Sequence, residues 1–422
     1  MKIIRNMKIE EYIFYLSIII FSAQSANFLE NKIFLILLFS YTFILYFKKF
    51  KNIDPPVFII LFMWFLINGA AYIEFGNVYD VAFISFLSVT ARMVYPFFIL
   101  KIVGPKIFKD FERIIFILTL ISLPIFAAQL LFPDVFSSLA PYLNGFTIEE
   151  QQIFGGWYIG IYMYSGWAFG RNCGFMWEPG AFTFMIIIAT LFRLSQHSMK
   201  IDRHVIVYLV AIATTFSTMG YIVFTFILLA QYIQKKNIFV YVLFIPLFMT
   251  LAYMQYWELE FIGPKIAQYY ADIGNIYRSS VLAGSILRVN RFDILVLAFK
   301  ESLKWPIGYG IFENTPFYLQ YAERVSGPNT YAQILLRWGW IGIIIFIYAA
   351  WKYIKHIFRN EAFMVKGVLY ISLLASVSSY SLLNNSILLV MLYYPFISMP
   401  KETHINQKNK INNQYEYALG KI

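Results

Sequence analysis

From position 171 the chain reads Arg171-Asn-Cys-Gly-Phe-Met-Trp-Glu-Pro-Gly180, which sets an arginine, a carboxylate and a helix-starting proline beside one apolar run. Guanidinium groups hold phosphates and carboxylates through paired hydrogen bonds, and a helix N-terminus adds unused N–H groups and a positive dipole. Arg171 and the turn before Pro179 thus form a candidate anion site. Glu178 also has a purely structural reading, because Pro suits the first helical turn and an acid there suits the dipole. Arg92 stands eleven residues into the apolar run 81–100. A charge at such depth costs at least about 2.5–3.5 kcal/mol, so it should face the bundle interior and pair there, with Glu74 or a backbone carbonyl as partner. Arg288 and Arg291 are three apart and on a helix would share one face, an arrangement suited to an oligo-anion such as pyrophosphate, with Asp293 able to pair with either. Arg278 and Lys265 are weaker candidates in the same segment. Arg337, about six residues inside a later apolar run, is near enough to its end to snorkel outwards. Ser217-Thr-Met-Gly220 reads as a tight turn whose hydroxyls could touch a ligand but are better suited to capping helices.

The elements that must position these residues are membrane helices. The 422 residues are 60% hydrophobic, 20% aromatic and only 14% charged, and mean hydropathy is +0.63. Soluble domains are about 45–50% apolar and about 25% charged, so the composition indicates a polytopic, all-α integral membrane protein. Apolar runs at 12–26, 33–47, 56–75, 81–100, 114–132, 176–192, 204–217, 220–234, 238–254, 331–351, 363–380 and 386–400 predict a bundle of about twelve transmembrane helices. The 204–217 run is short enough to be re-entrant, and removing it with 220–234 leaves the orientation unchanged. Lys2, Arg5 and Lys8 before the first run, with Ala23-Gln-Ser25 after it, mimic a signal peptide, but the many later runs favour an uncleaved first helix.

The formal charge of +11 raises the question of nucleic acid, and its placement answers it. With both termini inside, seven inside segments carry 23 of the 34 Lys and Arg, whereas 255–330 holds seven basic and seven acidic residues. That is the positive-inside pattern, so no nucleic-acid partner is expected. The single Cys173 excludes an internal disulfide or thiolate cluster. Three of the four histidines (His197, His204, His356) fall on inside segments and His404 in the tail, so no metal or other cofactor is expected on the outside.

This organisation gives helices one to five over 1–132, a first large outer loop at 133–175, helices six to nine over 176–254, a second large outer loop at 255–330, helices ten to twelve over 331–400 and a disordered cytoplasmic tail at 401–422. Long loops in compact proteins usually serve function. The first is rich in aromatic residues (Phe154, Trp157, Tyr158, Tyr162, Tyr164, Trp167), unlike a disordered segment, and should pack at the interface or onto the second. No internal repeat and no phosphate-binding glycine loop is present; Gly308-Tyr-Gly310 is a turn signal only.

Over nearly its whole length the chain resembles the Wzy-type O-antigen and capsule polymerases, relatives of the O-antigen ligases. The resemblance rests on the order of features: Arg171, Gly174, Phe175, Glu178 and Pro179 ending the first outer loop; the Ser217–Gly220 hairpin; Arg288 and Arg291 in a large outer loop; Trp305-Pro-Ile-Gly-Tyr-Gly310; and Pro328-Asn329-Thr-Tyr331 leading into Gly339-Trp-Ile-Gly342. Ligase-like members carry His-Asn where this chain has Pro328-Asn329, which counts against a ligase and leaves the general base unassigned. The resemblance implies a metal-independent glycosyltransferase in the bacterial inner membrane. It would polymerise undecaprenyl-pyrophosphate-linked oligosaccharides at the outer face among membrane lipids, with a chain-length regulator as a candidate partner. It further implies Arg171, Arg288, Arg291 and Glu178 as catalytic residues and Arg92, Arg278, Asn329, Tyr331 and Arg337 as substrate-binding residues. Ligation of finished polymer to lipid A-core is one alternative, and transport of the lipid-linked oligosaccharide is another.

Overall fold

The computed structural model describes Ser17 and residues 32–50, 54–75, 83–147, 152–235, 286–288, 291–311, 324–326, 329–378, 380, 382–383 and 385–397. The predicted spans 12–26 and 238–254, Arg278, Lys265 and the tail from 401 lie outside these residues. The other ten apolar runs coincide with helices: α1 (Lys32–Lys49), α2 (Pro55–Phe75), α3 (Phe83–Val103), α4 (Lys106–Leu131), α7 (Pro179–Gln196), α8 (Arg203–Thr215), α9 (Thr218–Lys235), α11 (Thr330–Ile357), α12 (Phe363–Val377) and α13 (Ser386–Tyr393). Among the described residues, α2, α3, α4, α7 and α11 are long and apolar enough to cross a membrane, and the chain is an all-α membrane protein. The long loops contribute α5 (Pro133–Ser138), α6 (Ala140–Leu143), α10 (Arg291–Lys304) and two small ribbons. Strands β1 (Trp157–Tyr158) and β2 (Met163–Tyr164) pair antiparallel, and β3 (Ile286–Arg288) runs parallel to β4 (Arg324–Ser326).

Helix α7 is the hub. Its sequence is apolar all round, which suits a helix with no lipid-facing side, and 83% of its apolar window is buried. It packs against α4, α8, α9 and α12. One end of the bundle collects the basic residues. There Lys101 pairs with Asp54 at 2.7 Å, Lys49 donates to the Ile102 carbonyl, Arg193 pairs with Asp202 and His204 meets Glu112 at 2.8 Å. The opposite end carries residues 133–175. These are here termed the basic end and the loop end.

The first long loop packs on the bundle. Trp157, Tyr162 and Tyr164 form a small core with Phe126 of α4 and Ala140 of α6. Trp157 donates to the Phe136 carbonyl at 2.7 Å, and Tyr162 donates to Gln129 of α4 at 2.6 Å. Burying the polar tips of these rings requires such partners.

Part of the second long loop enters the bundle. Residues 305–311 insert between α2 and α11. Helix α11 is broken at Gly339, whose φ of 62° and ψ of −156° only glycine adopts readily. The break deprives carbonyls in the preceding turn of their helical donors, and the inserted segment supplies replacements. Tyr309 N donates to Leu336 O at 2.6 Å and Gly310 N to Arg337 O at 3.0 Å, while Trp340 N donates to Pro306 O at 3.0 Å. Asn68 of α2 accepts from Ile311 N at 2.9 Å. Helix α10 seals the insertion, burying Ile294, Leu297 and Ala298 with Ala71, Ala332 and Leu335.

A Cβ on Gly339 would lie 2.0 Å from the Pro306 carbonyl oxygen, whereas one on Gly367 of α12 meets nothing within 4 Å. Gly339→Ala should therefore destabilise by at least about 2–3 kcal/mol, read as a lower melting temperature or lost folded yield in detergent. Gly367→Ala should be neutral or slightly stabilising, by up to about 1 kcal/mol.

Candidate functional site

The segment leading into α7 is built residue by residue for its shape. Asn172 makes an Asx turn, its Oδ1 accepting from Gly174 N at 2.9 Å, and its Nδ2 donates to Thr214 Oγ1 at 3.0 Å. Gly174 has φ +54°, and a Cβ there would strike the Phe182 ring at 2.5 Å. Phe175 is fully buried and meets Phe182 edge-on at 5.8 Å. Glu178 occupies the N-cap position of α7 in extended backbone, with Pro179 behind it in the first turn, but its side chain makes no capping hydrogen bond. Arg171 donates from Nε to Thr215 O at 3.0 Å and from Nη2 to Phe216 O at 3.1 Å. It thereby satisfies carbonyls at the C-terminus of α8, where Phe216 turns the chain left-handed. Cys173 lies within electrostatic reach of both charges. Burial pushes its thiol up to about 12, Arg171 acting to lower it and Glu178 to raise it.

Three helix N-termini meet at the loop end. A Cβ on Gly180, in the first turn of α7, would sit 2.1 Å from the Tyr380 ring, and Trp177 meets the same ring at 90°. Thr330, the first residue of α11, donates from Oγ1 to the Tyr380 carbonyl and accepts from Leu382 N at 2.8 Å. Asn329 caps α11 through Tyr331 N and Ala332 N. Asn385 caps α13 through Leu388 N and reaches Met185 of α7 at 3.9 Å. Helices α7, α11 and α13 thus direct their positive dipole ends into one region.

Below that region the bundle places Arg92 and Arg337 within electrostatic reach of each other. Arg337 is 5% exposed, so it does not snorkel to solvent, and Arg92 is the charge that acts upon it. Arg337 follows Thr330 by seven residues, which places it on the same helix face two turns deeper. Trp64 fixes the level of the pair: its indole donates to Thr90 Oγ1 at 3.0 Å and its ring packs on Trp338 at 4.8 Å. Both arginines sit beside an irregularity of their own helix. Pro96 lacks the N–H that would bond the Arg92 carbonyl, and Gly339 breaks α11 two residues after Arg337. Each arginine is an ionisable group inside an apolar bundle, the setting in which such side chains mark functional sites. Glu74, a partner expected for Arg92, is instead exposed near the loop end of α2.

The remaining site residues separate by role. Arg288 closes strand β3 opposite Ser326 and Arg291 begins α10, so the two do not share a helix face. The spacing rule fails because the β3–β4 pairing ends the strand between them; their side chains lie outside the described residues. Tyr331 donates from its hydroxyl to Leu374 O at 2.6 Å, tying α11 to α12. Asn329 is a buried cap. Ser217 accepts from Gly220 N at 3.3 Å, as a helix cap should. The Arg92–Arg337 pairing was legible only as matched depth: the two lie nine and seven residues from the loop-end starts of their helices, roughly 14 and 10 Å. Among the described residues, no group of three or more His, Cys, Asp or Glu side chains is placed to hold a metal. No family model, no curated protein and no solved structure matches the chain.

Arg171→Ala leaves the end carbonyls of α8 without two charge-assisted donors. It should cost about 1.5–3 kcal/mol of stability, measured as a shift in thermal unfolding, with Arg171→Lys intermediate. A variant that keeps wild-type stability would show that these contacts do not hold α8.

Proposed function

We propose that the chain is a glycosyltransferase of the bacterial inner membrane that polymerises undecaprenyl-pyrophosphate-linked oligosaccharide repeats into O-antigen or capsular polysaccharide. The observation that carries this reading is the Arg92–Arg337 pair beneath three convergent helix N-termini. A pyrophosphate ester suits that arrangement, since a double cation and helix dipoles stabilise charge that grows as the leaving group departs. The acceptor hydroxyl oxygen attacks the anomeric carbon of the donor sugar. The bond from that carbon to the pyrophosphate oxygen breaks, the electron pair leaves with undecaprenyl pyrophosphate, and the hydroxyl proton passes to a base. Glu178, at the N-terminus of α7, is the carboxylate assigned to that step. Arg171 holds the wall of the site through α8, and Arg288, Arg291 and Arg278 belong to the substrate-facing second loop.

The proposed topology has twelve spans with both termini in the cytoplasm, so that the loop end faces the periplasm. Periplasm-dependent reporters fused at Tyr142 and Glu313 should be active, and fusions at Lys49, Lys200 and Lys408 inactive. Activity at Lys408 would overturn this orientation.

Arg92→Gln and Arg337→Gln should each reduce polymer formation on the order of a hundredfold, the scale of losing one transition-state contact to a phosphate. Membrane protein levels should hold, and Arg→Lys should rescue in part because bidentate geometry is lost. Glu178→Gln should slow transfer yet leave donor binding intact. The readout is the surface glycan ladder together with binding of the lipid-linked donor.

A second reading draws on the break in α11. Discontinuous helices with ionisable residues inside the bundle are also the pattern of transporters, and transport of the same lipid-linked oligosaccharide would use the same arginines. Purified protein in liposomes separates the two. Elongation of repeats supplied on the loop-end side supports polymerisation, and their movement across the bilayer without elongation supports transport.

A further inference from the structure

The basic end carries a cleft of about 410 Å³ between the last turn of α7, the first turn of α4, the α11–α12 turn and Tyr394. Its chemistry is mixed in a specific way. Arg359 and His356 line it, and the charge of Arg359 also reaches Tyr394, so one wall offers donors to an anion. Glu361 lines it too, and its Oε2 is buried without a hydrogen-bond partner among the described residues. A buried carboxylate oxygen left this way loses its hydration without compensation, so a cation with N–H donors is the natural complement. The helix ends reinforce that demand. Gln196 and Ile357, the last residues of α7 and α11, both line the cleft, and helix C-termini carry partial negative charge. The site thus asks for an anion and an ammonium in one small ligand. Phe108 and Phe192 form an apolar wall. Immediately beyond Glu361, Phe363 is 76% and Met364 67% exposed, which supplies an apolar surface next to the charged cleft.

We propose that this cleft binds a phosphoethanolamine group, and that its source is a membrane phospholipid. The phosphate lies on Arg359 and His356 with the Tyr394 hydroxyl in reach, the primary ammonium donates to Glu361, and the acyl chains run over Phe363 and Met364. An anionic headgroup without an amine leaves Glu361 uncompensated. A choline headgroup carries the charge but has no N–H to donate. The proposal concerns the end of the bundle opposite the arginine pair and stands independently of the glycosyltransferase reading.

The test is native mass spectrometry of the full chain, delipidated in detergent and offered equimolar phosphatidylethanolamine, phosphatidylglycerol and phosphatidylcholine. Wild type should retain phosphatidylethanolamine over the other two by about tenfold, the preference that one charge-assisted hydrogen bond supplies. Glu361→Gln, close in shape and at a half-buried position, should remove that preference while leaving phosphatidylglycerol binding unchanged. Arg359→Gln should weaken all three lipids, with Arg359→Lys restoring part. Gel-filtration profiles identical to wild type show that the variants are folded. Equal retention of the three lipids by wild type, or an undiminished preference in Glu361→Gln, would overturn the assignment. Displacement of the lipid by equimolar glycerophosphoethanolamine would overturn the lipid source in favour of a soluble ester; failure to displace it supports the lipid.

Discussion

A backbone amide or carbonyl enclosed by apolar side chains has no water to turn to, and the fold is organised by where such groups find partners. The break of α11 at Gly339 is tolerable because residues 306–310 bring two N–H donors and one carbonyl to it. Pro96 removes a donor inside α3. At the end of α8 the partner is a side chain, the guanidinium of Arg171. At the starts of α11 and α13 it is an asparagine. The break of α11 and the ends of α8, α11 and α13 are each matched by one specific segment or side chain, so these helices cannot be re-paired without leaving buried polar groups unmet.

This constraint and the electrostatics share the same residues. Capping satisfies individual N–H groups but leaves the aligned peptide dipoles in place, so α7, α11 and α13 still present positive ends where they meet Tyr380. Arg92 and Arg337 lie beneath them, within electrostatic reach of each other. At the other end, basic side chains sit over helix C-termini, and acids such as Asp54, Asp202 and Glu112 are taken up in local pairs. The two ends therefore differ in kind: one concentrates unlike charges in contact, the other gathers like charges in an apolar setting.

The segment from Arg171 to Gly180 shows how packing and chemistry coexist in one stretch. Arg171, Asn172, Gly174, Phe175 and Gly180 each have a packing or backbone role. Glu178, which makes no capping bond to its own helix, is held at the rim by these neighbours. A run of residue types suited to chemistry thus also serves as scaffold, and it places one carboxylate and one helix end.

The sequence by itself determined the class, the apolar runs and the start of α7 at Pro179. These follow from local composition and from the fixed rise of a helix, neither of which needs distant contacts. It also marked Arg92 as a costly charge from its depth within an apolar run, whereas Arg337 read as close enough to its helix end to snorkel. Tertiary structure decided that the two arginines lie within electrostatic reach of each other, that Arg171 serves α8, that Arg288 and Arg291 fall on different elements, and that Trp305–Gly310 enters the bundle. Depth is a property of one helix. Azimuth, and the partner of a broken backbone, depend on which helices lie side by side, and only the packed bundle specifies that.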